Sequence, residues 1–215
     1  MTTTWDGTSG RPRKFSVALI AFAIIAVLVL ISVGSIASTY NGLVTLDQQT
    51  RAQWGQVENA YQRRADLVPN LVNTVRGAAN FESSTLTAVT EARAHATQPV
   101  VQPGRAVPDD PAAFQHYQAA QDQLGQSLSR LMVVVERYPE LRATENFREL
   151  QSQLEGTENR IAVERMRFNE AAQGFNTRRN GFPTVIVAGL FGSRFHEKPY
   201  FAAQAGAERA PVVNF

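Results

Sequence analysis

The chain has no cysteine, three histidines and only two lysines in 215 residues. The first absence excludes a disulfide framework, a thiolate nucleophile and any cysteine-ligated metal. His95, His116 and His196 fall in three separate stretches, and each is expected as a surface or cap residue. No HExxH, Gly-rich phosphate loop, GxSxG elbow or Asp-rich calcium loop is present. A carboxylate-bridged di-metal bundle needs Glu-x-x-His on two helices, and that motif is missing too. The expectation is a chain without enzymatic activity, metal or cofactor. An excess of one charge sign is also lacking. Apart from Arg11, Arg13, Lys14 and Asp6, there are 18 positive and 18 negative side chains. A nucleic-acid surface would show a basic stripe, so no nucleic-acid partner is expected. Arginine outnumbers lysine 19 to 2, and its planar fork suits fixed carboxylate pairs along long helices.

What is abundant is apolar sequence near the start. Phe15 to Ala37 is a run of 23 residues without charge, Pro, Asn or Gln, and about 20 such residues span a bilayer as a helix. The competing reading is a cleaved signal peptide, with Arg11, Arg13 and Lys14 as its basic region and Ser35-Ile36-Ala37 as a small-x-small site. Signal cores usually run about 7 to 15 residues, which favours a transmembrane helix over 15–37. Three positive charges precede the run and only Arg51 follows within 20 residues. The positive-inside rule then places 1–14 as a cytoplasmic tail and the rest outside, in the cell (inner) membrane as a single-pass protein. Gly34-x-x-Ala37 puts small residues on the span, where they could support homo-oligomerisation.

Beyond the span, Leu43, Leu46, Thr50, Trp54, Val57, Tyr61, Ala65, Val68, Val72, Val75 and Ala79 recur with a mean step of 3.6. The span is expected to continue as a stalk into the first bundle helix, with a bend at Pro69. A short second helix is expected over Ser84 to Thr97, followed by a Pro-rich linker, TQPVVQPGRAVPDDP. Asp110-Pro111 has the form of an N-cap with proline at the first helical position. The helix it opens carries Phe114, Tyr117, Ala120, Leu124, Leu128, Leu131, Val134 and Tyr138, and is expected to stop at Pro139. A last long helix begins near 144–146, with Asn146 and Glu149 spaced as a capping box. It carries a coiled-coil-like seam of Phe147, Leu150, Leu154, Thr157, Ile161, Glu164, Phe168, Ala171 and Phe175, and ends at Asn180-Gly181. No stretch between 40 and 180 alternates with period two. The fold class is all-α: a single transmembrane helix continuing into an antiparallel bundle of three long helices and one short, over 38–180.

Two polar clusters fall about 30 to 40 Å along their helices, at matching heights. One is Arg63, Arg64, Asp66 and Asn70; the other is Glu155, Glu158, Asn159 and Arg160. They read either as a network fixing helix register or as a partner-binding patch around Gly156. With four helices, the chain returns toward the membrane near residue 180. There GFPTVIVAGLFGSRF (181–195) is either an interfacial segment contacting lipid through Val185, Ile186, Leu190 and Phe191, or a cover for the bundle base. Within 181–215, the stretch from Glu197 to Phe215 is expected to be disordered unless a partner binds it.

Tyr40-Asn41-Gly42-Leu43-Val44, Trp54-Gly55-Gln56-Val57-Glu58, Gln62-Arg63-Arg64-Ala65-Asp66-Leu67-Val68-Pro69-Asn70-Leu71-Val72, Val135-Glu136-Arg137-Tyr138-Pro139 and Leu154-Glu155-Gly156-Thr157-Glu158-Asn159-Arg160-Ile161-Ala162-Val163 are specific motifs. Through them the chain resembles the bacterial LemA family over roughly residues 38–202. The resemblance implies a single-pass membrane protein with an antiparallel helical bundle, a variable insertion at 98–111, no catalytic residues to transfer, and envelope-associated scaffolding. The resulting expectation is a noncatalytic membrane-anchored adaptor or scaffold for unidentified envelope proteins. The alternative is a ligand- or lipid-sensing bundle with a pocket at its membrane-proximal end.

Overall fold

The computed structural model describes residues 13–77, 82–98, 106–192 and 194–202. Helix α1 spans Arg13–Arg76, α2 Ser83–Ala96, α3 Pro111–Val135, α4 Pro139–Arg142, α5 Glu145–Asn180 and α6 Thr184–Leu190, with a 3-10 turn at Val107–Asp109. No strand occurs among the described residues. The cytoplasmic-tail reading of 1–12, the periodic position Ala79, most of the Pro-rich linker (99–105) and the C-terminal stretch from 203 lie outside the described residues.

The chain divides into two units, one ending at Gly42 and one beginning at Leu43. The first contains the apolar part of α1. An 18-residue stretch there has a mean hydropathy of 3.1 and no buried residue, and Ser32 returns its hydroxyl to the Leu28 carbonyl at 2.8 Å. A helix apolar on every face, with this hydroxyl satisfied internally, suits lipid rather than water.

The second unit is the bundle. From α1 to α5, Thr50 Oγ1 donates to the Ala171 carbonyl (3.4 Å), the Trp54 and Phe168 rings lie 5.5 Å apart, and Arg64 bonds Glu158 at 3.0 Å. The numbers fall on α5 as they rise on α1, so the two helices are antiparallel. Between α1 and α3, Trp54 meets Phe114 at 5.6 Å, Tyr61 meets Tyr117 at 5.7 Å, and Arg64 meets Gln121. Those numbers rise together, so α3 runs parallel to α1. The core has two halves. In one, Val68, Val72, Val89, Leu124, Leu128 and Phe147 pack together. The other is built on Trp54, Phe114, Phe168 and Phe201, whose ring centres lie 4.7 to 6.1 Å apart.

Local chemistry accounts for both ends of α3 and for the starts of α4 and α5. Asp110 caps α3, its Oδ1 accepting from the amides of Ala112 (2.9 Å) and Ala113 (3.3 Å), with Pro111 at the first helical position. Helix α3 stops at Val135, short of the expected Pro139. Proline disfavours helical backbone at the residue before it and clashes with the carbonyl four residues back. Tyr138 accordingly leaves the helical region at φ −121, ψ 75, and Pro139 opens the one-turn α4. The cap of α5 is Thr144, accepting from the Phe147 amide at 3.4 Å, rather than an Asn146–Glu149 box. Glu149 instead accepts from Gln153 at 3.1 Å. Helix α1 continues through Pro69 to Arg76. In the expected linker, Val107, Pro108 and Asp109 are buried in the 3-10 turn.

The largest departure concerns Glu197 to Ala202, the described part of the expected tail. Residues 195–202 form an extended strap along α5, with Phe195, Lys198 and Phe201 buried. Phe201 completes the aromatic half of the core, and its burial removes the reason to expect disorder there.

Candidate functional site

Arg64 lies at the middle of the bundle and is 3% exposed. Its Nη1 donates to Glu158 Oε1 at 3.0 Å, and its Nη2 donates to both the carbonyl and Oε1 of Gln121 at 2.8 Å. The guanidinium also lies 5.0 Å from the Tyr61 ring centre. Gln121 in turn donates to the Ala96 carbonyl at 2.9 Å, so one arginine ties α1, α3 and α5 directly and α2 through Gln121. A planar five-donor fork can make such a junction, which a lysine cannot. At this junction two buried polar atoms have no protein partner, Arg64 Nε and the Tyr61 hydroxyl. Burial pushes the Tyr61 phenol pKa up, against the opposing effect of Arg165 and Arg64.

Of the eight residues in the two sequence clusters, the structure joins Arg64 and Glu158 across helices. Arg63, Asp66 and Asn70 are exposed. Asp66 accepts from Gln62 at 2.8 Å on its own helix, and Glu155 accepts from Gln151 at 2.9 Å on α5. Asn159 is exposed, and Arg160 lies 3.9 Å from Glu164. Neighbours in a helical sequence point about 100° apart, so a cluster in sequence is split around the helix. Gly156 faces open space, with nothing within 4 Å of where a Cβ would stand.

Above Arg64 a groove of about 780 Å³ opens between α3 and α5, with Tyr61 and Arg64 at its α1 side. Gln126, Ser129, Gln151, Glu155, Asn159 and Arg165 are among its lining residues. Gly125 borders Arg64, whose Nη1 would lie 3.5 Å from an added Cβ.

Sequence reasoning missed a second junction. Lys198, from the strap, has a side chain with no exposure and donates through Nζ to Asp47 Oδ1 and Asp109 Oδ1. Arg51 Nε bonds the other oxygen of Asp47 at 2.9 Å, and its Nη2 bonds Asp109 Oδ2. Two cations and two carboxylates are thus paired in a closed set. Burial would raise the Asp47 pKa, but hydrogen bonds and charge from Lys198 and Arg51 hold it below the ordinary carboxylate value. Asn176 and Asn169 clamp the strap backbone. Asn176 Nδ2 donates to the Lys198 carbonyl (2.8 Å) and its Oδ1 accepts from the Lys198 amide (2.9 Å); Asn169 treats Phe201 likewise at 3.0 and 2.9 Å. The available signals were the Asp47/Arg51 spacing and two asparagines seven residues apart on α5.

At the end of the bundle, α6 buries Thr184, Val187 and Ala188 and leaves Val185, Ile186, Leu190 and Phe191 exposed. The cleft between α5 and α6, of about 520 Å³, is lined by Glu170, Gln173, Thr177 and Arg178 together with Phe182 and Thr184. It is a mixed cleft rather than an apolar pocket.

The model of the LemA family matches residues 53–215. Magnetosome proteins MamQ 1 and MamQ 2 of Paramagnetospirillum magneticum are each 27% identical over 204 residues, covering 85% of this chain and 73% of the relative. Magnetosome protein MamQ of Magnetospirillum gryphiswaldense is 28% identical over 182 residues, covering 74% of this chain and 65% of the relative.

Proposed function

We propose, from the premise that this chain belongs to the LemA family, that it is a noncatalytic membrane-anchored adaptor whose α3–α5 groove receives a polar segment of an envelope protein. The observation that supports this most directly is the groove itself, where Gln126, Ser129, Glu155 and Asn159 present exposed hydrogen-bonding side chains. The amide and hydroxyl side chains of Gln126, Gln151, Asn159 and Ser129 offer hydrogen bonds beside the apolar Leu128, Met132, Leu154 and Ile161. The N-terminal apolar helix supplies the anchor, and the charge asymmetry around it supports a bundle outside the cytoplasm.

The test is site-specific photocrosslinking in native membranes, with the full chain carrying the crosslinker at Gln151 or Asn159. Discrete adducts at these positions, lost on Ser129→Trp, are expected. Adducts of equal strength from Arg63, on the exposed side of α1, or none from the groove, would overturn the reading.

A further inference from the structure

Outside the apolar part of α1, nine large hydrophobic side chains are exposed among the described residues, and five of them (Phe182, Val185, Ile186, Leu190 and Phe191) fall within ten residues. The other four, Val133, Val163, Met166 and Tyr200, form no group of more than two, so this concentration needs an occupant. Val185, Ile186 and Leu190 share the outward side of α6, opposite the buried Thr184, Val187 and Ala188. Phe182 is 84% exposed and Leu190 70%, which shows that this side does not serve to cover the bundle core. Arg178 and Arg194 flank the segment in sequence and are exposed.

Chain connectivity identifies the occupant. The α1–α5 pairing of Thr50 with Ala171 and Arg64 with Glu158 continues to place Leu43 level with the last turn of α5, from which α6 follows. Five residues separate Leu43 from Ala37 at the end of the apolar run, a reach of at most about 22 Å even when fully extended. A bilayer crossed by that run is thus tethered to the bundle at this end through residues 38–42. We propose that the outward side of α6, with Phe182, seats in the interfacial layer of that same bilayer, its apolar side chains at the acyl boundary and Arg178 and Arg194 among anionic headgroups. The proposal goes beyond the adaptor reading and shares with it only the anchor.

The absence of native cysteine makes single-site labelling direct. Full-length protein carrying Ile186→Cys or Leu190→Cys, labelled with an environment-sensitive fluorophore, is reconstituted into phosphatidylcholine–phosphatidylglycerol vesicles containing lipids spin-labelled near the headgroup. Gly34→Cys in the apolar run and Ser152→Cys on the exposed side of α5 are the references. Labels at 186 and 190 are expected to shift to the blue and lose most of their emission, whereas the label at 152 keeps its own. With the label at 190, adding Val185→Glu and Ile186→Glu, both on exposed positions, is expected to restore emission. The proposal is overturned if 186 and 190 behave as 152 does while 34 is quenched, a result that leaves the anchor standing. It is also overturned if the label at 34 escapes quenching, which removes the anchor as well, or if disulfides form between copies through Leu190→Cys without lipid quenching, which assigns the surface to a second copy.

Discussion

Lys198 Nζ sits between the carboxylates of Asp47 and Asp109, from which it is separated by 151 and 89 residues of sequence. The contact fastens the C-terminal strap to α1 and to the 3-10 turn at once, and its side chain is closed to solvent. Removing one member of a buried ion pair leaves the others charged and unpaired, at a cost of about 3–5 kcal/mol. Lys198→Met is expected to destabilise the bundle by that order, measured by urea unfolding of the detergent-solubilised full chain. A change within the error of the extrapolated stability would refute the assigned role.

The same junction sets an acid limit. The folded-state pKa of Asp47 is below its ordinary value of 3.8, so the unfolded chain binds the proton more readily. The stabilisation is present above the unfolded pKa and is lost as pH falls through the folded one. Stability is therefore expected to decline below about pH 4, and Asp47→Asn is expected to flatten that decline. Trp54, stacked on Phe201 at 6.1 Å, reports the strap by fluorescence in a Trp5→Phe background.

Arg64 and Glu158 are partners of unequal burial, with side-chain exposures of 4% and 45%. Glu158→Gln keeps an acceptor at a half-solvated position and is expected to cost less than about 1 kcal/mol. Arg64→Met also strips Gln121 of its donor, and is expected to cost about 2–4 kcal/mol. Thermal unfolding of both variants checks the order; equal losses would contradict the geometry.

Asn176 holds the strap backbone through both its amide nitrogen and its oxygen. Asn176→Ala removes two hydrogen bonds to buried backbone groups, an expected loss of about 1–3 kcal/mol. Faster proteolysis near residue 198, measured on the intact chain, would locate the effect in the strap.

Membrane orientation is testable with C-terminal reporters. A phosphatase active only outside the cytoplasm is expected to show activity, and a fluorescent protein that matures only inside is expected to stay dark. The reverse pattern would place the bundle in the cytoplasm and move the search for partners there.

The apolar run at 15–37 and the helical periods of Leu43–Val75, Phe114–Leu131 and Phe147–Phe175 were legible in sequence because burial along a helix repeats every 3.6 residues. Asp110-Pro111 was legible because a cap is made within one turn. The grouping of Arg63 with Arg64 and Asp66 was misleading: proximity in sequence is lost as the helix turns, and of these three only Arg64 points inward. Residues 195–202 have no period to read. Their placement comes from Asn169 and Asn176 on α5, from Asp47 and Asp109, and from the aromatic space that Phe201 fills. A lysine reads as solvated until its partners are known, and here they come from distant parts of the chain. The sequence by itself determined the helices and the apolar run, because those depend on neighbours within a few turns; tertiary structure alone decided which polar groups meet, because burial and pairing of charge depend on residues far apart in the chain.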